Sequence, residues 1–98
     1  MPKASIASQA RVLMDIPNIG KSIAQDLRGL GVNTPAEVAV MNPVAMYDAL
    51  RTSMGKRHDP CVLDTFLAAK DFMNGGASKP WWHFTVERKL LLSKIEAK

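Results

Sequence analysis

The sequence predicts an all-α fold: a compact five-helix domain followed by one additional C-terminal helix. Three observations carry that expectation. A polar cap followed by proline recurs at Thr34-Pro35, Asn42-Pro43 and Asp59-Pro60. This is how helices start, because proline in the first turn sacrifices no intrahelical hydrogen bond. Apolar residues recur at helical spacing in Ile23, Ala24, Leu27 and Leu30, and again in Leu63, Phe66, Leu67 and Met73. The 98 residues, 47% hydrophobic and 22% charged, suit one modest core that needs no metal or disulfide staple.

In chain order, Ser5 or Ser8 caps a first helix that runs to about Met14 and turns Ile6, Ala10, Leu13 and Met14 inward. A sharp turn follows over Asp15 to Ser22. Pro17 fixes one φ angle, Asn18 tolerates positive φ, and Gly20 is expected to admit a backbone that no side chain could follow. The second helix ends at Leu30, with Gly31 placed as a left-handed C-cap. Thr34, Pro35 and Glu37 form a capping box that opens a connector helix to about Met41. A fourth helix runs from Pro43 to about Arg51 with Met46, Tyr47 and Leu50 inward. A fifth runs from Pro60 to about Met73, with Leu63, Phe66, Leu67, Lys70 and Met73 on its packed side, and ends at Asn74-Gly75-Gly76. This division places a first unit at residues 1–74 and a linker, aromatic segment and terminal helix at 75–98. Gly75-Gly76-Ala77-Ser78 reads as a flexible joint, and Lys79-Pro80 forces an extended approach to Trp81-Trp82-His83-Phe84. Thr85 caps the last helix, whose Leu90, Leu91, Leu92 and Ile95 either pack back on the domain or form a self-association face.

The turn at Asp15 to Ser22 is where chemistry is expected. The first turn of a helix has N–H donors without intrahelical partners and carries the positive end of the macrodipole. A phosphate matches several such convergent donors. At Asn18, Ile19, Gly20, Lys21 and Ser22, glycine permits close approach, Lys21 adds a mobile charge and Ser22 adds a hydroxyl donor. Nothing in this set reads bases. The same residues also suit a helix–helix turn that contacts only solvent.

Ile16-Pro17-Asn18-Ile19-Gly20-Lys21-Ser22-Ile23-Ala24 resembles the helix-hairpin-helix motif, with Asn18 standing at the first glycine position. Arg57-His58-Asp59-Pro60-Cys61-Val62-Leu63-Asp64 and Pro80-Trp81-Trp82 are similar to the small bacterial helix-hairpin-helix proteins of the pathogenicity-locus, or mitomycin-resistance, family. The resemblance spans roughly Leu13 to Thr85. It implies a doubled helix-hairpin-helix, SAM-like arrangement and a DNA-binding role, with no assigned reaction. Ser53 to His58 would then be a degenerate second hairpin, in which Gly55 supplies the turn and Lys56 and Arg57 the charge. Resemblance also implies a monovalent cation on the hairpin carbonyls around Ile16 and Ile19.

The net charge of +4 and pI near 9.5 agree with a nucleic-acid partner without establishing one. No apolar run spans a membrane and no secretory leader is evident, so a cytoplasmic location is expected; the single cysteine, Cys61, fits a reducing compartment. His58, Asp59, Cys61 and Asp64 lack zinc spacing, with Asp59 and Asp64 expected in helix-cap and surface roles. No nucleophile, base and orienting group stand together, so no catalysis is expected and no cofactor beyond the cation. Trp81 and Trp82 are expected to close the end of the core, the competing role being base stacking or the anchoring of a protein partner. The leading expectation is sequence-independent binding of DNA phosphates by Asn18 to Ser22, assisted by Gly55, Lys56 and Arg57, in DNA repair or processing. The alternatives are a protein-interaction adaptor built on Trp81, Trp82 and the C-terminal leucines, and an enzyme using Cys61 and His58.

Overall fold

A computed structural model describes residues 3–53 and 61–96 of the chain, and the described residues are helical and turn structure without a strand. Five α-helices follow in order: α1 (Lys21–Gly29), α2 (Pro35–Val40), α3 (Pro43–Ser53), α4 (Cys61–Met73) and α5 (Thr85–Glu96). Short 3₁₀ turns occupy Ala7–Gln9, Leu13–Asp15 and Trp81–Phe84. The all-α expectation holds.

The organising element is α4. Leu63, Asp64, Thr65, Phe66, Leu67, Ala68, Ala69 and Phe72 are all buried on it, so it is covered on nearly every side rather than along one stripe. Around it pack Leu13, Ile16 and Ile19 from the N-terminal turn, Ala24 and Leu27 of α1, Val38 of α2, and Tyr47 and Leu50 of α3. From the C-terminal segment, Phe84, Leu91 and Leu92 close the same core. Residues 75–96 are therefore part of the packed body around α4.

The helix starts at Thr34-Pro35 and Asn42-Pro43 form as read, while Asp59-Pro60 lies outside the described residues. The Thr34 hydroxyl accepts from Glu37 N–H at 3.3 Å while Glu37 accepts from Thr34 N–H at 3.1 Å. Asn42 Oδ1 accepts from the N–H groups of Val44 and Ala45, both at 3.1 Å, and so caps α3. Gly31 takes φ +90° and closes α1: its N–H reaches Arg28 O at 3.0 Å, and Val32 N–H reaches Leu27 O at 2.9 Å.

Two expectations are corrected here. The first helix, expected to run to Met14, is replaced by the two N-terminal 3₁₀ turns with extended residues at Ile6, Ala10 and Val12. The cause is local competition: an Asp15 carboxylate oxygen accepts from Arg11 N–H at 2.9 Å and Val12 N–H at 3.2 Å, claiming donors that a continuous helix would direct to carbonyls four residues back. The expected caps Ser5 and Ser8 give way to Gln9, whose Oε1 accepts from Ser5 N–H at 3.1 Å. The second correction concerns Gly75 to Ser78, expected as a flexible joint. Gly75 N–H bonds Phe72 O at 3.1 Å and Gly76 N–H bonds Asp71 O at 2.9 Å, a C-cap that directs the chain back along α4. The Lys79 ammonium then pairs with Asp71 at 3.0 Å and lies 5.7 Å from the Phe84 ring centroid, anchoring the far end of the connector.

Candidate nucleic-acid interface

The residues from Asp15 to Ser22 form a tight loop that enters α1 directly. Ile16 and Ile19 are fully buried and Pro17 is buried, so the loop is bolted to the core by its apolar side chains. Asn18 carries the positive φ, +74°. Its side-chain amide donates to Lys79 O at 2.6 Å, joining the hairpin to the connector 61 residues away. Asparagine thus supplies the left-handed turn and a tertiary bond that glycine could not make.

Gly20 is the N-cap of α1 with φ −93° and ψ −173°, extended backbone that any residue adopts. The expected need for glycine conformation is therefore corrected: Asn18 absorbs the unusual angle two residues earlier. A Cβ at Gly20 would meet nothing within 4 Å, so the glycine leaves open space in front of the helix. No side chain caps α1. Ala24 N–H takes Gly20 O at 3.0 Å, while the N–H groups of Gly20, Lys21, Ser22 and Ile23 have no acceptor among the described residues. Gly20, Lys21 and Ser22 are exposed side by side, with Lys21 opening the helix at the positive end of its dipole. By contrast, the starts of α2 and α3 are closed by their own side chains.

The expected site residues thus divide. Asn18, Ile19, Gly20, Lys21 and Ser22 lie together at the mouth of α1, with the Ile19 side chain buried and only its peptide facing the loop. Gly55, Lys56 and Arg57, expected as a second hairpin, lie outside the described residues, as do His58 and Asp59. Of the two carbonyls expected to hold a cation, that of Ile16 accepts from Ile19 N–H at 3.2 Å, and that of Ile19 accepts from the ammonium of Lys3. Lys3 also donates to Met14 O. Sequence reading did not single out Lys3, whose relation to the hairpin exists only after the chain has folded.

Asp15 sits beneath this loop. The hydrogen bonds from Arg11 N–H and Val12 N–H, with smaller contributions from the charges of Lys3 and Arg11, hold its carboxyl below the ordinary value of 3.8. A carboxylate depressed on folding contributes stability above its unfolded pKa, and that stability is lost as pH falls through the folded value. Asp15→Asn is therefore expected to melt below wild type at neutral pH, with the gap closing as the pH drops below about 3.8. Thermal melting of both proteins from neutral to strongly acidic pH checks this, and a constant gap would count against it.

The aromatic segment departs from the expected lid. Trp82 is 62% exposed and Trp81 half-buried, their rings edge-on at 5.5 Å and 86°. Phe84 closes the core instead. With Val86 and Leu90 also exposed, Trp82 in the preceding 3₁₀ turn heads an apolar row at intervals of four residues that continues on α5. Asp64 departs from expectation in the opposite direction. It was expected on the surface, yet it is fully buried, accepting from Arg88 Nε and from the Thr85 hydroxyl, each at 2.8 Å. Cys61 is half-buried at the start of α4, where its carbonyl accepts from the Thr65 hydroxyl at 3.1 Å. Among the described residues no three His, Cys, Asp or Glu side chains come together, and no helix is long and apolar enough to cross a membrane.

This geometry defines a small all-α protein whose sequence, over residues 6–90, matches the Cdd1 pathogenicity-locus family, and the chain belongs to that family. A particular relative is the mitomycin resistance protein McrB of Streptomyces lavendulae, 37% identical over 87 residues that cover 89% of this chain and 83% of the relative. No solved structure matches the chain significantly.

Proposed function

We propose that this protein binds DNA without reading its sequence, in DNA repair or processing, by seating a backbone phosphate on the open start of α1. The helix-hairpin-helix likeness of Ile16 to Ala24 underlies the reading. In it, the N–H groups from Gly20 to Ile23 hold the phosphate, Lys21 adds a charge, Ser22 adds a hydroxyl, and Lys56 and Arg57 assist from the second hairpin. The observation that carries it is the pairing of unclaimed first-turn donors with unfilled space in front of Gly20. The reading requires no reaction and no cofactor. Contacts of this kind position a protein on DNA and carry no sequence information.

The test is fluorescence anisotropy of labelled single-stranded, duplex and branched DNA with wild type and Lys21→Glu, at about 50 and 200 mM salt. Binding is expected to weaken by on the order of tenfold or more in the variant and to fall steeply with salt, since each neutralised phosphate releases counterions. A folded Lys21→Glu protein that binds as well as wild type would sink the proposal. The row of Trp82, Val86 and Leu90, 62%, 72% and 60% exposed, favours a second reading in which α5 docks a protein partner. Indifference to every DNA at low salt, together with loss of a captured partner in Trp82→Ala, would favour that reading over the first.

A further inference from the structure

The ammonium of Lys3 is the feature of the hairpin that the phosphate reading leaves unused. It donates to the main-chain carbonyls of Met14 and Ile19, which lie at the two ends of the turn. The segment is held in place by a second bond, Ala4 N–H to Asp15 O at 2.8 Å. Three carbonyls of the turn therefore accept from residues 3 and 4. One of them belongs to the peptide unit whose other end faces the phosphate seat: the carbonyl of Ile19 and the N–H of Gly20 are the two poles of one planar trans amide. A full positive charge on the oxygen draws electron density from the nitrogen and makes that N–H a stronger donor, the cooperative polarisation expected of hydrogen-bond chains. The same ammonium joins Met14 to Ile19 and so sets the angle at which the loop delivers α1.

We propose that Lys3 is a positioning residue for the phosphate seat, a built-in cation that clamps the Met14 and Ile19 carbonyls and polarises the Ile19–Gly20 peptide toward the bound anion. The inference rests on the phosphate reading above. It predicts a hairpin that needs no dissolved alkali cation, because of the two carbonyls such a cation would seek that of Ile19 already accepts from the tethered ammonium and that of Ile16 from Ile19 N–H.

The test compares wild type, Lys3→Met and Lys3→Arg as full chains, using a labelled single-stranded oligonucleotide in choline chloride and in potassium chloride at equal ionic strength. Choline is too large to enter between two carbonyls, whereas potassium is not. Lys3→Met is expected to bind on the order of tenfold more weakly in choline. Potassium should restore part of that loss while leaving wild type unchanged. Lys3→Arg, which keeps the charge, should stay closer to wild type. The dependence of affinity on choline concentration should keep the wild-type slope, because Lys3 touches carbonyls rather than phosphate. A folded Lys3→Met protein within about twofold of wild type in choline would overturn the inference. A slope shallower by about one unit would also overturn it, by making Lys3 a phosphate contact. Wild type binding no DNA would bring down the phosphate reading and the polarising role together. Melting in the two salts then decides the clamp alone: potassium must raise the melting temperature of Lys3→Met and not that of wild type, and an equal response in both would remove it.

Discussion

Asp64→Ala is expected to cost on the order of 3–5 kcal/mol of folding free energy, as much as truncating a large buried apolar side chain. The carboxylate is completely buried in the central helix, and the side chain of Arg88 that pairs with it is only 14% exposed. Removing the anion takes from a guanidinium that is nearly out of water a carboxylate held at 2.8 Å, and leaves a Thr85 hydroxyl without its acceptor at 2.8 Å. The damage spreads along the chain. Asp64 holds the start of α5, and with it Phe84, Leu91 and Leu92, against the core. The connector from Gly75 to Pro80 is tied to the turn before α1 through Asn18 and Lys79, so loosening α5 also loosens the proposed phosphate seat. Urea unfolding gives the measurement. Replacing both partners by apolar residues, Asp64→Leu with Arg88→Met, should recover much of the loss, because the cost lies in burying polar groups whose mutual bonds are gone. A single variant within about 1 kcal/mol of wild type would show that water reaches Arg88 and that the pair is peripheral.

How far the sequence foretold this arrangement depends on the range over which each feature is decided. The capping box at Thr34 and Glu37, the Asn42 cap and the Gly31 terminus were legible because their partners lie within five residues. So was the tight turn into α1, whose chemistry is written in Pro17 and Asn18. The burial of Asp64 was not legible, because its partner stands 24 residues on, and an acidic residue in a helix is ordinarily solvated. The first helix failed for a local reason that periodicity ignores: apolar spacing favoured a helix, while the Asp15 side chain offered the backbone a better bond. Trp81 and Trp82 were expected inside because a small core needs large side chains, but Phe72 and Phe66 of α4 already fill its centre. Of the two roles read at Gly20, conformational freedom is not used, because Asn18 takes the positive φ, whereas the room it was expected to leave is present as open space in front of α1.

That distinction leads to a sharp expectation for Gly20→Asp. The backbone angles at Gly20 are those of an ordinary N-cap, and a Cβ there meets nothing within 4 Å, so aspartate enters without strain. Its carboxylate would accept from the N–H of Ser22 or Ile23 and sit at the positive end of the α1 dipole. Both effects should raise stability, by a few tenths to about 1 kcal/mol. The same carboxylate would occupy the donors proposed for phosphate and place a negative charge where the phosphate must come, so DNA affinity should fall by well over an order of magnitude. Gly20→Ser separates the two causes, since serine caps the helix without charge. It should gain a similar part of the stability and lose less of the binding, with the remaining difference from aspartate fading as salt screens the repulsion. Thermal melting and anisotropy on the same samples read both quantities. A more stable protein that binds DNA worse is the signature of a helix start left open for a ligand. If Gly20→Asp melts higher and binds as before, the phosphate lies elsewhere and the open cap is only a turn.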